Sequence, residues 1–179
     1  MTGIDPGGPA HDITLRRVTA SDSDLILEWA NDPVTRASSF HPGPIAAADH
    51  SRWFAARLAD PATAFWIGEQ DGRPIGQVRI ESESERESGG TPSSTPSSAR
   101  TAEVSISVAP GYRGRGSGRA LLLAAIATVR DVLPVAALRA RVRTDNPASL
   151  ALFAAAGFRE LGRDICDGVP CAQFELRVA

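Results

Sequence analysis

Apolar and polar residues alternate along Ile13-Thr14-Leu15-Arg16-Arg17-Val18, a period of two that predicts a first strand. The period then lengthens. Leu25, Ile26 and Trp29 fall on one face of a helix that Ser21 or Asp22 can cap and that runs to Asn31. Pro33 starts a second short turn. Beyond His41-Pro42-Gly43-Pro44, residues 45–60 return to helical spacing, with Trp53, Phe54 and Leu58 as the buried face. Residues 63–69 and 74–81 form a strand pair around Gln70-Asp71-Gly72-Arg73, a two-residue hairpin signal.

The second half repeats these periods. Strands are predicted over 102–109 and 136–143, the latter with Leu138, Ala140 and Val142 opposed to Arg139, Arg141 and Arg143. Helices are predicted over 116–131 and from Pro147, which suits a first helical turn, to a terminating Gly157. Residues 158–165 and 170–178 make a closing hairpin across Asp167-Gly168. In that register Cys166 faces Val169 and Cys171 faces Asp164, so the cysteines are offset. No further ligand lies nearby, and two free thiols are expected.

Strand, helices, antiparallel meander, helix, strand, helix and hairpin describe a mixed, mostly antiparallel α/β (α+β) sheet flanked by helices, not a doubly wound one. The Gly/Pro-rich residues 1–11 read as a flexible tail. Residues 82–100 are mostly Ser, Glu, Pro, Thr and Gly without a large apolar side chain, and read as a disordered loop inside a single 12–179 domain.

Composition narrows the function. A formal charge of −2 and a pI near 5.9 argue against a nucleic-acid partner. No apolar run approaches the ~20 residues of a membrane span, and the N-terminus lacks the basic and apolar regions of a signal peptide. A cytoplasmic protein without a membrane partner is expected. The chain has no lysine, and its 19 basic residues are all arginine, so a basic phosphate contact must come from arginine.

One stretch carries the chemistry. Arg113-Gly114-Arg115-Gly116-Ser117-Gly118 lies between a strand and a helix N-terminus, where unpaired N–H groups and the helix dipole favour an anion. A Walker loop requires a lysine that is absent. A Rossmann fingerprint requires different glycine spacing and an acidic residue at the end of the next strand, which here ends in arginines.

The run Ala-Pro-Gly-Tyr-Arg-Gly-Arg-Gly-Ser-Gly, followed after one strand by Asn146-Pro-Ala-Ser149, Phe153 and Gly157-Phe158, resembles the GNAT superfamily of N-acetyltransferases. The resemblance spans about residues 12 to 178. It implies acetyl-CoA as the acyl donor. Gly114, Arg115, Gly116, Ser117 and Gly118 would hold its pyrophosphate with Arg113. The backbone of Ile106, Ser107 and Val108 would meet the pantetheine where a bulge splays that strand from the next. Asn146, Ser149 and Phe153 would line the other side, with Asn146 equally readable as an N-cap.

Glu103 matches the position where many relatives carry a general base. Phe153 stands where relatives often carry a tyrosine acid, which leaves that role to Ser149, Tyr112, Cys166 or water. Glu28-Trp29-x-Asn31-Asp32-Pro33, His50-x-x-Trp53-Phe54 and Gly76-Gln77-Val78-Arg79 look like the branch that acetylates 4-amino-deoxy nucleotide sugars, and are near the ribosomal-protein N-terminal branch. The first reading makes Trp29, Asn31, His50 and Arg79 acceptor contacts for a small-molecule amine. A non-catalytic acyl-CoA sensor is the competing class. A homodimer is a superfamily expectation, and no metal site is expected.

Overall fold

A computed structural model describes residues 13–82 and 100–178. The expected 1–11 tail and residues 83–99 of the expected loop lie outside them.

Strand β1 (Ile13–Arg17) leads through a 3-10 turn at Ala20–Asp22 into α1 (Ser23–Asn31). Asp22 accepts the Thr19 N–H at 2.8 Å and pairs both carboxylate oxygens with Arg16, which also reaches Glu69 at 2.6 Å. The bonds from Arg16 outweigh the cost of burial and hold the Asp22 carboxyl at about 2, below its usual range. Short α2 (Pro33–Ala37) and α3 (Ala47–Ala59) follow. Strands β2 (Thr63–Gln70) and β3 (Arg73–Ser82) turn at Asp71 and Gly72, both at positive φ. These two residues adopt the left-handed backbone that a tight hairpin requires.

Strand β4 (Thr101–Val108) precedes α4 (Ser117–Val129), β5 (Ala137–Arg143) and α5 (Pro147–Ala155). Strands β6 (Arg159–Cys166) and β7 (Val169–Arg177) close the fold. The seven strands form one sheet in the order β1-β2-β3-β4-β5-β7-β6, antiparallel except where β4 meets β5.

Alternation within the strands divides the interior in two. On one face Trp66, Val78, Ile80, Val104 and Leu138 pack with Leu121, Leu122 and Ala125 of α4 and Phe153 of α5. On the other, Phe65 and Ile67 pack with Ile26 and Trp29 of α1 and Phe54 of α3. Gly68 and Gly76 pair across β2 and β3 beneath Leu121. A Cβ on Gly76 would lie 2.5 Å from the Ser107 carbonyl and 3.1 Å from Leu121. The bare backbone therefore lets α4 settle directly on the sheet.

Two expectations are corrected here. Cys166 and Cys171 are joined in a disulfide, with Cα atoms 5.8 Å apart. The register is the expected one, Cys166↔Val169 and Asp164↔Cys171. The cysteines are diagonal neighbours on one face of the hairpin, and a diagonal pair can still meet. The second correction concerns β4. It pairs with β3 without a register shift from Gly76↔Val108 to Ser82↔Ala102, so no bulge interrupts it on that side.

Candidate active site

Strands β4 and β5 pair in parallel at Thr101↔Ala137, Ala102↔Leu138 and Glu103↔Arg139, and the pairing ends there. Both strands continue, so a gap opens between residues 104–108 and 140–143. Ala109 N–H donates to Ile75 O at 2.8 Å, which turns Ala109 toward β3. Alternation along the strand then turns the backbone of Ile106 and Val108 toward the gap and that of Ser107 toward β3. Val108 O accepts from Arg113 Nε at 3.0 Å. Ile106 is thus the residue whose N–H and C=O face the open space.

The glycine turn lies at the end of this gap. Gly114 and Gly116 have φ of 74° and 81°, and Gly116 caps α4 in the left-handed conformation. The first helical bond runs from Ala120 N–H to Gly116 O at 3.1 Å. The N–H groups of Ser117, Gly118 and Arg119 precede it and have no helical partner. A Cβ on Gly118 would lie 3.2 Å from Val108 and 3.7 Å from Leu152, so this glycine brings α4, β4 and α5 together. Arg115 is exposed and has no side-chain partner among the described residues.

Arg113 is engaged elsewhere. Besides Val108 O, it donates to Asp32 at 2.7 Å and to Thr35 Oγ1 at 2.9 Å. Asp32 also caps α2 by accepting the Thr35 N–H at 3.0 Å. Desolvation pushes the Asp32 carboxyl up, but the bonds from Thr35 and Arg113 outweigh it and leave the group below its ordinary value.

At the other end of the gap, Glu103 accepts two bonds from Arg141, at 2.9 and 3.1 Å. The Arg141 guanidinium lies 5.9 Å from the Phe40 ring. Arg143 donates to Ser39 O at 2.9 Å. The segment 38–45 therefore reaches from α2 to β5 on the side of the gap opposite α4.

The pattern of a splayed parallel strand pair, a glycine turn and a helix N-terminus is matched at the level of sequence families. Residues 12–159 match the GNAT acetyltransferase domain. The chain belongs to the GNAT acetyltransferase family.

No curated protein matches the sequence significantly. Among solved structures, the GNAT domain is similar to aminoglycoside acetyltransferase AAC(6')-Ib, determined with ribostamycin and coenzyme A. The identity is 18%, the TM-score is 0.76, and 92% of this chain and 93% of the other are covered. It is also similar to spermidine N-acetyltransferase from Vibrio cholerae, determined with CoA and spermine. There the identity is 20%, the TM-score 0.74, and the coverage 92% and 95%. The mixed α/β fold expected from the sequence is the GNAT fold.

Several side chains of the GNAT domain do not lie where the sequence places them. Phe153 is 3% exposed and packs edge-on to Phe158 at 5.0 Å and along Phe174 at 6.0 Å. It is a core residue, and Leu152 is the α5 side chain at the glycine turn. His50 is 2% exposed, bonded through Nε2 to Ser23 O at 3.0 Å and stacked with Phe54. Trp29 is buried in the same core. His50 and Trp29 are interior residues rather than surface contacts.

Asn31 spends both ends of its amide on the backbone of Ile45, at 2.8 and 2.9 Å. Arg79 lies over Trp53 at 4.8 Å and pairs with Glu81 at 2.6 Å. Asn146 caps α5 by accepting the Ser149 N–H at 3.0 Å. The residues not singled out from sequence are Asp32, Thr35, Arg141 and Leu152. Arg139, Arg141 and Arg143 at every second position signalled a charged strand face, and Arg141 could have been read from it.

Among the described residues no group of His, Cys, Asp or Glu is arranged to hold a metal ion. No described helix is long and apolar enough to cross a membrane.

Proposed function

We propose that this chain transfers an acetyl group from acetyl-CoA to a primary amine of a small molecule, directly, in a ternary complex. The divergence of β4 from β5 beside the glycine turn carries this reading. Amides of Gly114 to Gly118 hold the pyrophosphate, and Arg115 supplies the charge. Ile106 offers its backbone to the pantetheine, as an added strand would. Asn146 and Ser149 approach from α5.

Glu103 takes the ammonium proton, directly or through water. The amine nitrogen then attacks the thioester carbon, the carbon–sulfur bond breaks, and CoA leaves as a thiolate. A thiol pKa near ~8.5 makes that leaving group competent without a dedicated acid. This fits a protein in which Phe153 cannot serve as one.

Among the described residues, the acidic side chains around the gap are arginine-paired. Arg57 and Arg79 hold Glu81, Arg141 holds Glu103, Arg139 holds Glu175 and Arg143 holds Asp145. Such a surface offers little to a polycation. It suits an amine that itself carries negative charge, and a 4-amino-deoxy nucleotide sugar is of that kind. The test is thiol release from acetyl-CoA with amino-sugar nucleotides, an N-terminal peptide, spermine and kanamycin. Release with the nucleotide sugars is expected. Release with spermine or kanamycin alone would overturn the acceptor class, and release with no amine would overturn transfer itself.

A further inference from the structure

The segment Asn31-Asp32-Pro33 has no part in the proposed chemistry, yet three polar side chains around it are engaged in the protein. Asn31 brackets the Ile45 backbone. Arg36 donates to Ala30 O at 2.6 Å, to His41 O at 3.0 Å and to Gly43 O at 3.3 Å. Together they fix the course of residues 38–45, whose Phe40 and Ser39 lie against Arg141 and Arg143 beside the gap. Asp32 is the third, and it points the other way, toward Arg113.

Arg113 begins the glycine turn, and its guanidinium joins two elements through three partners: the end of β4 through Val108 O, and α2 through its cap Asp32 and through Thr35. The pair is mostly shielded, with side-chain exposures of 28% for Arg113 and 17% for Asp32, so salt screens it less than a surface pair. A planar guanidinium with three fixed partners transmits orientation as well as attraction. We infer that Asp32 is a positioning residue that couples the two sides of the site. Occupancy of the glycine turn stiffens residues 33–45 through Arg113 and so prepares the acceptor side. Two sites that share one element in this way influence each other reciprocally.

This rests on the glycine turn being the CoA site. The test therefore uses coenzyme A itself and the full chain. Amide hydrogen exchange of residues 33–45 is measured with and without CoA, beside the CoA dissociation constant. In the unmodified protein CoA should slow that exchange several-fold. Asp32→Asn keeps an N-cap on α2 but loses the ion pair. It should bind CoA within about threefold and lose most of the slowing. Thr35→Val, which leaves the Thr35 N–H in place, should lose part of it.

Full slowing in Asp32→Asn would overturn the coupling. So would CoA binding to the unmodified protein without slowing at 33–45. If CoA did not bind at all, the donor assignment would fall and the coupling with it, a result distinct from the other two.

Discussion

Glu103 and Arg141 face each other where β4 and β5 part, joined by two hydrogen bonds of 2.9 and 3.1 Å. The carboxylate assigned the proton is thus oriented by a side chain from the opposite wall of the gap. Glu103→Gln should lower kcat by about 10²-fold or more, the usual loss of a general base. CoA affinity should stay within about twofold. Arg141→Gln should cost less, because it removes the orienting partner and leaves the base. Steady-state turnover and calorimetric CoA titration check both, and unchanged turnover in Glu103→Gln would remove the base assignment.

Arg115 and Arg113 flank Gly114, but only Arg113 is engaged in the protein. Arg115→Gln should weaken CoA on the order of tenfold, the loss of one charge-assisted phosphate contact. It should also flatten the dependence of CoA affinity on salt. Calorimetry at two ionic strengths decides, and an unaltered affinity would exclude Arg115 from the phosphate site.

Phe153→Tyr places a hydroxyl among Phe158 and Phe174. Such a buried group without a partner costs about 1–3 kcal/mol. The variant should melt earlier and turn over no faster. A faster enzyme would show that this ring reaches the reacting centre.

Asp22 is held at about 2 by Arg16. Its folded pKa lies below the ordinary value of 3.8, so its contribution is present above pH ~4 and is lost as pH falls toward ~2. Asp22→Asn should therefore lose up to about 2 kcal/mol at pH 7. The difference from the unmodified protein should shrink below pH ~4. Urea midpoints across that range measure it, and a constant difference would exclude the ionised carboxylate as the source.

The elements were legible where a local rule decides them. Period-two alternation located β1 and β5, and Asp71-Gly72 and Asp167-Gly168 placed both hairpins. Pro147 and Gly157 marked the ends of α5. Side-chain roles were legible only where the spacing was read to its end. His50, Trp53 and Phe54 stand at i, i+3 and i+4, an inward-facing stripe in which His50 and Phe54 are buried and Trp53 partly so. The disulfide was not legible, because facing partners in a register do not report which diagonal pair meets. Nor was Arg113, whose partners Asp32 and Thr35 lie about eighty positions earlier. Sequence spacing carries no information on such a contact.

The gap between β4 and β5 has a further consequence. Strand β5 is zipped to β7 along its whole length, from Ala137↔Arg177 to Arg143↔Cys171, but to β4 at only three positions. The sheet is two leaves, β1-β2-β3-β4 and β5-β7-β6, bound along a short spine beside Glu103. The two walls of the cleft therefore belong to separately hydrogen-bonded sets of strands, and the divergence of the leaves sets its width.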